Sequence, residues 1–281
     1  MTEMGNAIVI QVAGTQIQSL SSLNVSGVDL EILEGMRDAG ELFSFPSMDQ
    51  LWFALRLRKN MTLSAKEMSE GESTFRGFSA ATCNPEYWYL TPAGGFLQKP
   101  NVYPTSGISD IFTNSSLYAF ECATACVINM YHAMSKSMEQ TTFNTAFQNI
   151  YLYSWNTDPE LRLYTFHANF YLPGDVVYFN NPDYDRSNAN YRGENAVAMG
   201  GGKFFGHGFG IVTAEEMIEA LNKKRFPNSN RSAYLTSLVT RFSPEVHSGL
   251  YRDHRVPPVT IHHNKISISF YQYIRYLYKG R

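Results

Sequence analysis

The chain has 281 residues, and 44% of them are apolar or aromatic, which is enough for the buried core of one large domain. Its formal net charge is −2, so no overall field indicates nucleic acid or a membrane as a partner. Three cysteines are too few, and odd in number, for a disulfide framework. No apolar run is as long as a membrane span, and the first residues lack the pattern of a secretory signal. The sequence therefore predicts an intracellular protein made in a reducing compartment.

The first part of the chain is predicted to hold a strand and two helices. Residues 7–10 are a short apolar run typical of an edge strand, and residues 30–36 favour a short helix. Ser47 and Gln50 have the spacing of a capping box, and Gly71 is a stop signal, so a long helix is expected between them. The apolar residues of this helix predict one buried stripe, formed by Leu51, Leu55, Met61, Ala65 and Met68.

The middle of the chain alternates between irregular and helical patterns. Residues 75–110 are rich in glycine, proline, asparagine and aromatic residues, which predicts irregular structure with short strands. A helix is expected to begin at Cys122 and to end near residue 137. A second helical stretch, near residues 141–148, is predicted to lead into a strand over residues 150–155.

Strand and turn signals dominate from Pro173 onward. Residues 175–179 favour a short strand, and residues 194–199 and 203–207 are predicted to form a hairpin around three consecutive glycines. Thr213 with Glu216 is a second capping box, which predicts a helix over residues 214–224. Helices followed by a mostly antiparallel sheet indicate the α+β class. We expect one catalytic domain over residues 1–281, with an N-terminal elaboration at 1–40 and a C-terminal extension at 244–281.

Cys122 is the first candidate for chemistry. It follows Glu121 at the point where an apolar helical pattern begins, and small residues come directly after it. The positive end of a helix dipole lowers the pKa of a thiol, which is one route to a thiolate nucleophile at neutral pH. The alternative is a buried structural cysteine, which is the commoner case for an arbitrary Cys.

Glu194 and His207 lie on the two arms of the predicted hairpin. If both face a helix packed on the sheet, they bring a carboxylate and an imidazole close to Cys122. A thiol, a base and an orienting group are what acyl transfer through a thiol requires. The residues alone equally allow a surface glutamate and a histidine that hydrogen-bonds the hairpin main chain.

Four motifs carry a resemblance to a known family. Their sequences are YAFECATA at 118–125, PGDVVYFNNP at 173–182, RGEN at 192–195 and GHGFGI at 206–211. In this order and spacing the chain resembles the protein-glutamine γ-glutamyltransferases, or transglutaminases, of spore-forming bacilli, over about residues 40–241. The resemblance implies a compact fold with a papain-like core of the NlpC type, in which N-terminal helices pack on a mostly antiparallel sheet.

The resemblance also implies the site. It pairs Cys122 with Glu194, where the related peptidases have a histidine, and it makes Glu121 an auxiliary carboxylate. His207 matches a family position whose role is less defined than that of Cys122. The resemblance further implies aromatic walls for a substrate passage at Trp155, Tyr178 and Tyr191, and makes Asn195 a fourth substrate-binding residue.

The implied activity is the formation of γ-glutamyl-ε-lysine cross-links through a cysteine thioester, with no cofactor and no calcium. The implied partners are spore-coat proteins with reactive Gln and Lys side chains, and the implied location is the mother-cell cytoplasm and then the spore coat. We expect a monomer that binds neither nucleic acid nor membrane. Two other functions stay open: a thiol hydrolase of cell-wall peptides on the same scaffold, and a non-catalytic coat protein.

A cysteine and a glutamate are poorly matched for proton transfer. Their reference pKa values, ~8.5 and ~4.3, differ by ~4 units, or roughly 5–6 kcal/mol. Burial of Glu194 and the helix N-terminus at Cys122 both reduce that difference. Because Glu121 and Glu194 can share a proton, we expect a coupled cluster of three groups.

Metal and nucleotide sites are weaker hypotheses. Cys122 and Cys126 are four residues apart, but zinc sites use four ligands and only His132 is a nearby candidate. The glycines of residues 200–210 lack the order of a nucleotide-binding loop. The basic, tyrosine-containing segment from residue 244 suits either an acidic coat surface or a solvated edge of the domain.

Overall fold

The elements follow one another in a helix-rich first half and a strand-rich second half. The computed structural model describes residues 10–244 and the main chain of residues 260–263 and 266–269. The α-helices in the described part are α1 (Val28–Asp38), α2 (Met48–Glu70), α3 (Pro104–Thr113), α4 (Cys122–Ser135), α5 (Gln140–Ala146) and α6 (Ala214–Asn222). The strands of the first half are β1 (Ile10–Val12), β2 (Thr15–Gln16), β3 (Phe43–Phe45), β4 (Thr74–Phe75), β5 (Trp88–Leu90), β6 (Phe96–Gln98), β7 (Ala119–Phe120) and β8 (Tyr151–Leu152). Those of the second half are β9 (Leu163–His167), β10 (Val176–Asn180), β11 (Gly193–Gly200), β12 (Lys203–Gly206), β13 (Gly210–Thr213), β14 (Tyr234–Phe242), β15 (Thr260–His263) and β16 (Ile266–Ser269).

The main sheet has six strands in the order β13-β12-β11-β10-β14-β9. Every neighbouring pair is antiparallel. The predicted hairpin is confirmed as β11 and β12, with Gly200 paired to Lys203. The two turn residues between them, Gly201 and Gly202, have φ of +58° and +70°. A two-residue turn with both φ values positive matches the twist of the strands, and glycine adopts it without strain.

Helices cover both faces of this sheet. On one face, Val176 and Val197 join the largest apolar cluster, which contains the inner sides of α2 and α4. On the other, the neighbouring Val177 and Ala196 pack with Met217 of α6. Successive side chains of a strand point to opposite faces, which explains how one strand serves two cores. The predicted α+β class is confirmed, and within the described residues no helix is long and apolar enough to cross a membrane.

The two capping predictions are confirmed to different extents. Ser47 Oγ accepts from Gln50 N at 3.2 Å, and the helix ends at Gly71 with its predicted stripe buried. The side-chain Nε2 of Gln50 donates to the main-chain carbonyl of Pro244 at 2.9 Å. At α6 both halves of the capping box between Thr213 and Glu216 are present.

Three sequence predictions are wrong. The strand predicted over residues 150–155 is limited to β8, because the chain turns after Leu152 and Ser154 has a left-handed φ of +50°. Helix α3 begins inside the stretch predicted to be irregular and extends three residues beyond it, with Pro104 in its first turn. Residues 7–9 of the predicted edge strand lie outside the described residues. Ile10 begins β1, which is the central strand of its three-stranded sheet and not an edge strand.

A buried charged cluster joins α2 to the sheet. Asp175, at the turn before β10, accepts from Arg58 Nη1 at 2.8 Å and from Arg241 Nη2 at 2.6 Å. Its second contact with Arg241, to Nε, is 3.1 Å long, and it also accepts from the main-chain N–H of Leu172 at 2.9 Å. All three charged side chains are buried. We call Asp175, Arg58 and Arg241 the charged hub.

Candidate active site

Cys122 is the first residue of α4. Strand β7 ends at Phe120, and Glu121 has an extended conformation with φ of −94° and ψ of 172°. The chain therefore changes from strand to helix over a single residue. Residues Cys122 to Met134 of the helix are all buried, which is consistent with its position between α2 and β11. The thiol thus lies at the start of a central, apolar helix.

Glu121 is the N-cap of this helix. Its Oε2 accepts from Ala123 N, and its Oε1 accepts from Thr124 N, each at 2.7 Å. The hydroxyl of Thr124 donates to Oε1 at 2.7 Å as well. The Cys122 thiol is within 3.7 Å of Oε2. A carboxyl group that accepts three short hydrogen bonds at a helix N-terminus is held in one position.

Glu194 occupies a different environment. It is the second residue of β11, is only 1% exposed, and its Oε1 has no hydrogen-bond partner within the described part of the chain. A Cβ atom placed on Gly206 of the neighbouring strand would lie 3.1 Å from this oxygen. The absence of a side chain at Gly206 therefore provides the space that the Glu194 carboxyl occupies.

The pKa of Glu194 is raised well above its ordinary value. Burial is the main cause, and the negative charge of Glu121 is the second. Hydrogen bonding to the Cys122 thiol and to the main chain at His207 opposes both effects. A glutamate with a raised pKa is a stronger base than an exposed one.

Asn195 contacts the sulfur directly. Its Nδ2 donates to Cys122 Sγ at 3.4 Å, and its carbonyl accepts from Cys126 Sγ at 3.5 Å. Asn195 directly follows Glu194 on β11, and Glu194 also interacts with the Cys122 thiol. One strand therefore supplies a carboxyl group and an amide to the environment of the thiol.

The expected lowering of the thiol pKa at the helix N-terminus is not what the structure shows. The pKa of Cys122 is raised well above its usual value by burial, and next by the charges of Glu194 and Glu121. The hydrogen bonds from Asn195 act in the other direction but are smaller effects. The resting sulfur is therefore a protonated thiol.

His207 follows β12 and is buried against aromatic residues. Its ring stacks on Phe120, with centroids 4.5 Å apart, and lies 6.2 Å from the ring of Phe75. Burial lowers its pKa to about 4, although a hydrogen bond with the main chain of Thr74 acts in the opposite direction. Its Nε2 has no partner in the described part. The His207 imidazole is therefore neutral at pH 7, and it makes no hydrogen bond to Cys122.

The three predicted wall residues have different surroundings in the structure. Tyr178 pairs with Asn195 across β10 and β11, and burial raises its pKa to about 12. Tyr191 lies beside Phe75, with centroids 6.0 Å apart. Trp155 is half-buried in the turn after β8 and packs against the main core.

Two residues of the site were missed by the sequence prediction. Phe75 connects the rings of Tyr191 and His207, and Thr124 binds both Glu121 and the main chain at Ser154. Thr124 lies inside the YAFECATA motif, but the sequence pattern marks it only as a small residue after Cys122. For Phe75 the sequence offers no local signal, because its contacts come from distant segments.

Within the described residues there is no group of three or more metal-ligating side chains. All three cysteines are free thiols. The chemistry that the site supports is therefore that of a buried thiol, two carboxylates and an amide, a combination suited to acyl transfer through sulfur.

Comparisons with known proteins identify the family. The protein-glutamine gamma-glutamyltransferase family model matches residues 8–249. A protein-glutamine gamma-glutamyltransferase of Halalkalibacterium halodurans is 49% identical over 280 residues, which is 98% of each chain. One from Bacillus cereus is 42% identical over 218 residues, or 78% of this chain and 79% of that protein. The chain therefore belongs to the protein-glutamine gamma-glutamyltransferase family, whose named members are transferases.

A solved structure agrees with this assignment. The transglutaminase from Geobacillus stearothermophilus, without its C-terminal extension, is 39% identical and superposes with a TM-score of 0.70. The match covers 74% of this chain and 99% of that chain. Family and fold are thus shared with bacterial transglutaminases.

Proposed function

We propose that this protein forms γ-glutamyl-ε-lysine isopeptide bonds between protein side chains, with Cys122 as the nucleophile. The observation that carries the proposal is the arrangement around the sulfur. The Cys122 thiol lies at the start of α4, 3.4 Å from the amide of Asn195 and 3.7 Å from Glu121, and it interacts with the buried Glu194. Membership of the transglutaminase family supports the same chemistry.

In the first half-reaction the sulfur attacks the carboxamide carbon of a glutamine side chain. The thiol proton passes to the carboxylate of Glu194, whose raised pKa makes it a competent base. The new S–C bond forms, the C–N bond breaks, and the proton leaves on ammonia. A γ-glutamyl thioester remains on Cys122. The Asn195 amide stabilises the sulfur while its charge develops.

Donors for the oxyanion follow from the helix start. Among the first four N–H groups of α4, those of Ala123 and Thr124 donate to the Glu121 side chain and that of Ala125 donates to the Glu121 carbonyl. We therefore assign the main-chain N–H of Cys122 and the side-chain amide of Asn195 as the hydrogen-bond donors to the oxyanion.

In the second half-reaction a lysine ε-amine is the acceptor. It loses a proton to Glu194 as its nitrogen attacks the thioester carbon, and the thiol of Cys122 is restored when the C–S bond breaks. Aromatic walls at Trp155, Tyr178 and Tyr191 suit the methylene arms of both substrates and limit attack by water. In this scheme Glu121 holds the helix start in place.

The biological setting rests on the resemblance to enzymes of spore-forming bacilli. We assign the substrates to coat proteins with accessible Gln and Lys side chains. The enzyme would act without calcium or another cofactor, as a monomer, first in the mother-cell cytoplasm and then in the spore coat. His207 is assigned to supporting the strand of Glu194, since its ring is neutral and stacked on Phe120.

The first test is the incorporation of a fluorescent primary amine into casein in the presence of a chelator, with ammonia release followed in parallel. We expect incorporation by the wild type, none above background by Cys122→Ala, and normal activity in Cys83→Ser, a control thiol elsewhere in the fold. Incorporation that survives in Cys122→Ala contradicts the proposal. Ammonia release without incorporation indicates a hydrolase, and neither product indicates a non-catalytic coat protein.

A further inference from the structure

Thr124 connects the helix cap at Glu121 with the main chain at Ser154, next to Trp155. Thr124 is only 3% exposed. Its hydroxyl donates to Glu121 Oε1 at 2.7 Å and accepts from Ser154 N at 2.9 Å. The direction is fixed by chemistry, because a main-chain N–H only donates and the hydroxyl has a single proton. The chain of hydrogen bonds thus runs from Ser154 through Thr124 to the helix cap.

The segment that Thr124 holds includes Trp155. We call residues 153–158 the Trp155 loop. At its far end, Tyr131 Oη donates to Asp158 Oδ2 and accepts from Asp158 N, each at 2.9 Å. Because Thr124 and Tyr131 both belong to α4, the loop is attached at two points to the helix that begins with Cys122.

The conformation of Ser154 indicates that this attachment constrains the backbone. Its φ of +50° lies in the left-handed region, which is strained for a residue with a side chain and persists where the surroundings hold it. The hydrogen bond from Ser154 N to Thr124 is one such contact, and Trp155 is the next residue. A loss of this bond would let the chain relax at the point where the indole is placed.

We propose that Thr124 is a positioning residue that fixes the Trp155 loop relative to the Cys122 thiol, and so sets the fit of the glutamine-bearing substrate. This inference rests on the proposed function. Removal of the Thr124 hydroxyl should affect the Trp155 loop but not the helix cap. Glu121 keeps its two main-chain donors, Ala123 N and Thr124 N, when the hydroxyl is removed. The helix cap and the thiol therefore stay in place while the loop is released.

The test compares Thr124→Val, which has the same shape without the hydroxyl, with Thr124→Ser, which retains it. We expect Thr124→Val to raise KM for a protein-bound glutamine about five- to tenfold, the size of one lost hydrogen bond, with kcat changed less than twofold. Alkylation of Cys122 by iodoacetamide should stay within about twofold, since the probe is small and the cap is intact. Thr124→Ser should restore KM. Thr145→Val, which removes an exposed hydroxyl bonded to Thr141, is the matched control.

Hydrogen exchange gives a readout that does not depend on catalysis. We expect the Ser154 amide, within a peptide covering residues 150–158, to exchange about tenfold faster in Thr124→Val and at the wild-type rate in Thr124→Ser. Unchanged exchange and unchanged KM overturn the inference, as does a parallel loss of Cys122 alkylation. Failure of the proposed function is a different result, since it shows as normal cross-linking by Cys122→Ala.

Discussion

At the scale of single residues, the protonation state of Cys122 is decided by competing effects of different size. A helix N-terminus favours an anion by about 0.3–1 kcal/mol and rarely by 2, whereas full burial shifts a pKa by up to about 3–5 units. Burial is the larger effect here, and two nearby carboxylates act in the same direction. A thiol that ionises only when it transfers its proton to Glu194 is less open to oxidation than a standing thiolate.

We expect the buried carboxyl of Glu194 to lower the free energy of unfolding at neutral pH. Because the folded pKa of Glu194 is raised above its unfolded value, its contribution to the free energy of unfolding is fully present below the unfolded pKa of about 4.3 and is lost as pH rises. Glu194→Gln has no such loss. We expect the variant to be more stable than the wild type by about 1–3 kcal/mol at pH 7–8 and equally stable near pH 4, while cross-linking falls by about 10²–10⁴-fold.

Urea denaturation from pH 4 to pH 8 measures the stability difference, and amine incorporation measures the activity. Glu121→Gln is the control, and it should change the free energy of unfolding in the opposite direction. A glutamine cannot accept all three hydrogen bonds of the cap. The variant should be less stable than the wild type by about 1–2 kcal/mol. Equal pH profiles for wild type and Glu194→Gln would falsify the assignment of a raised pKa.

At the scale of elements, the sequence predicted the features that local chemistry determines. The start of α2 at Ser47, the capping box of α6 at Thr213 and the hairpin between β11 and β12 each depend on residues close in the chain. Helix α3 was missed because its serine, threonine and glycine residues resemble a loop, and only its buried face, which includes Ile108 and Ile111, makes it a helix. Tertiary packing decided that case.

The β11–β12 hairpin supplies two glycines with different purposes. Gly206 lies against Glu194, and a Cβ there would be 3.1 Å from the Glu194 side chain and 2.6 Å from Met217 Cε. Met217 has a flexible end that moves away at low cost, whereas the buried Glu194 has little room. We expect Gly206→Ala to reduce kcat by about 10–100-fold by displacing the carboxyl, with a smaller effect on stability.

Gly201→Ala is the matched control in the same hairpin. A Cβ at Gly201 meets no atom within 4 Å, but φ is +58°, so the substitution should cost about 1 kcal/mol of stability through backbone strain and leave kcat unchanged. Thermal unfolding and initial rates of amine incorporation separate the two effects. Normal kcat in Gly206→Ala would show that Glu194 tolerates displacement.

The site as a whole was only partly predictable. The pairing of Cys122 with Glu194 and the nearby Asn195 followed from motifs, but their geometry depends on a sheet that brings residues about seventy positions apart together. The role of Glu121 as a helix cap and the bridge at Thr124 needed atomic positions. Sequence patterns indicate which chemistry is present, whereas hydrogen bonds decide which carboxylate is free to move a proton.

At the scale of the whole molecule, the charged hub joins segments that are far apart in the chain. Arg58 lies on α2, Asp175 precedes β10, and Arg241 is on β14. The Arg241 guanidinium also lies over the rings of Phe166 and Phe170, at 4.8 and 5.0 Å from their centroids. Two buried cations share one carboxylate, so aromatic faces and main-chain carbonyls complete their surroundings.

Asp175→Asn should therefore be among the most destabilising single changes in the described part of the protein. It leaves two buried guanidinium groups without a counter-charge, for which we expect a loss of about 3–5 kcal/mol in the free energy of unfolding, measured by urea denaturation. Glu219→Gln, which breaks the exposed pair with Lys223, should leave the free energy of unfolding close to that of the wild type. Phe179, which pairs with Glu194, is four residues beyond Asp175 and so about 13 Å along β10. The folded fraction of Asp175→Asn should thus retain near-normal kcat at low temperature, and a loss of kcat larger than the loss of folded protein would mean that the hub also sets the geometry around Glu194.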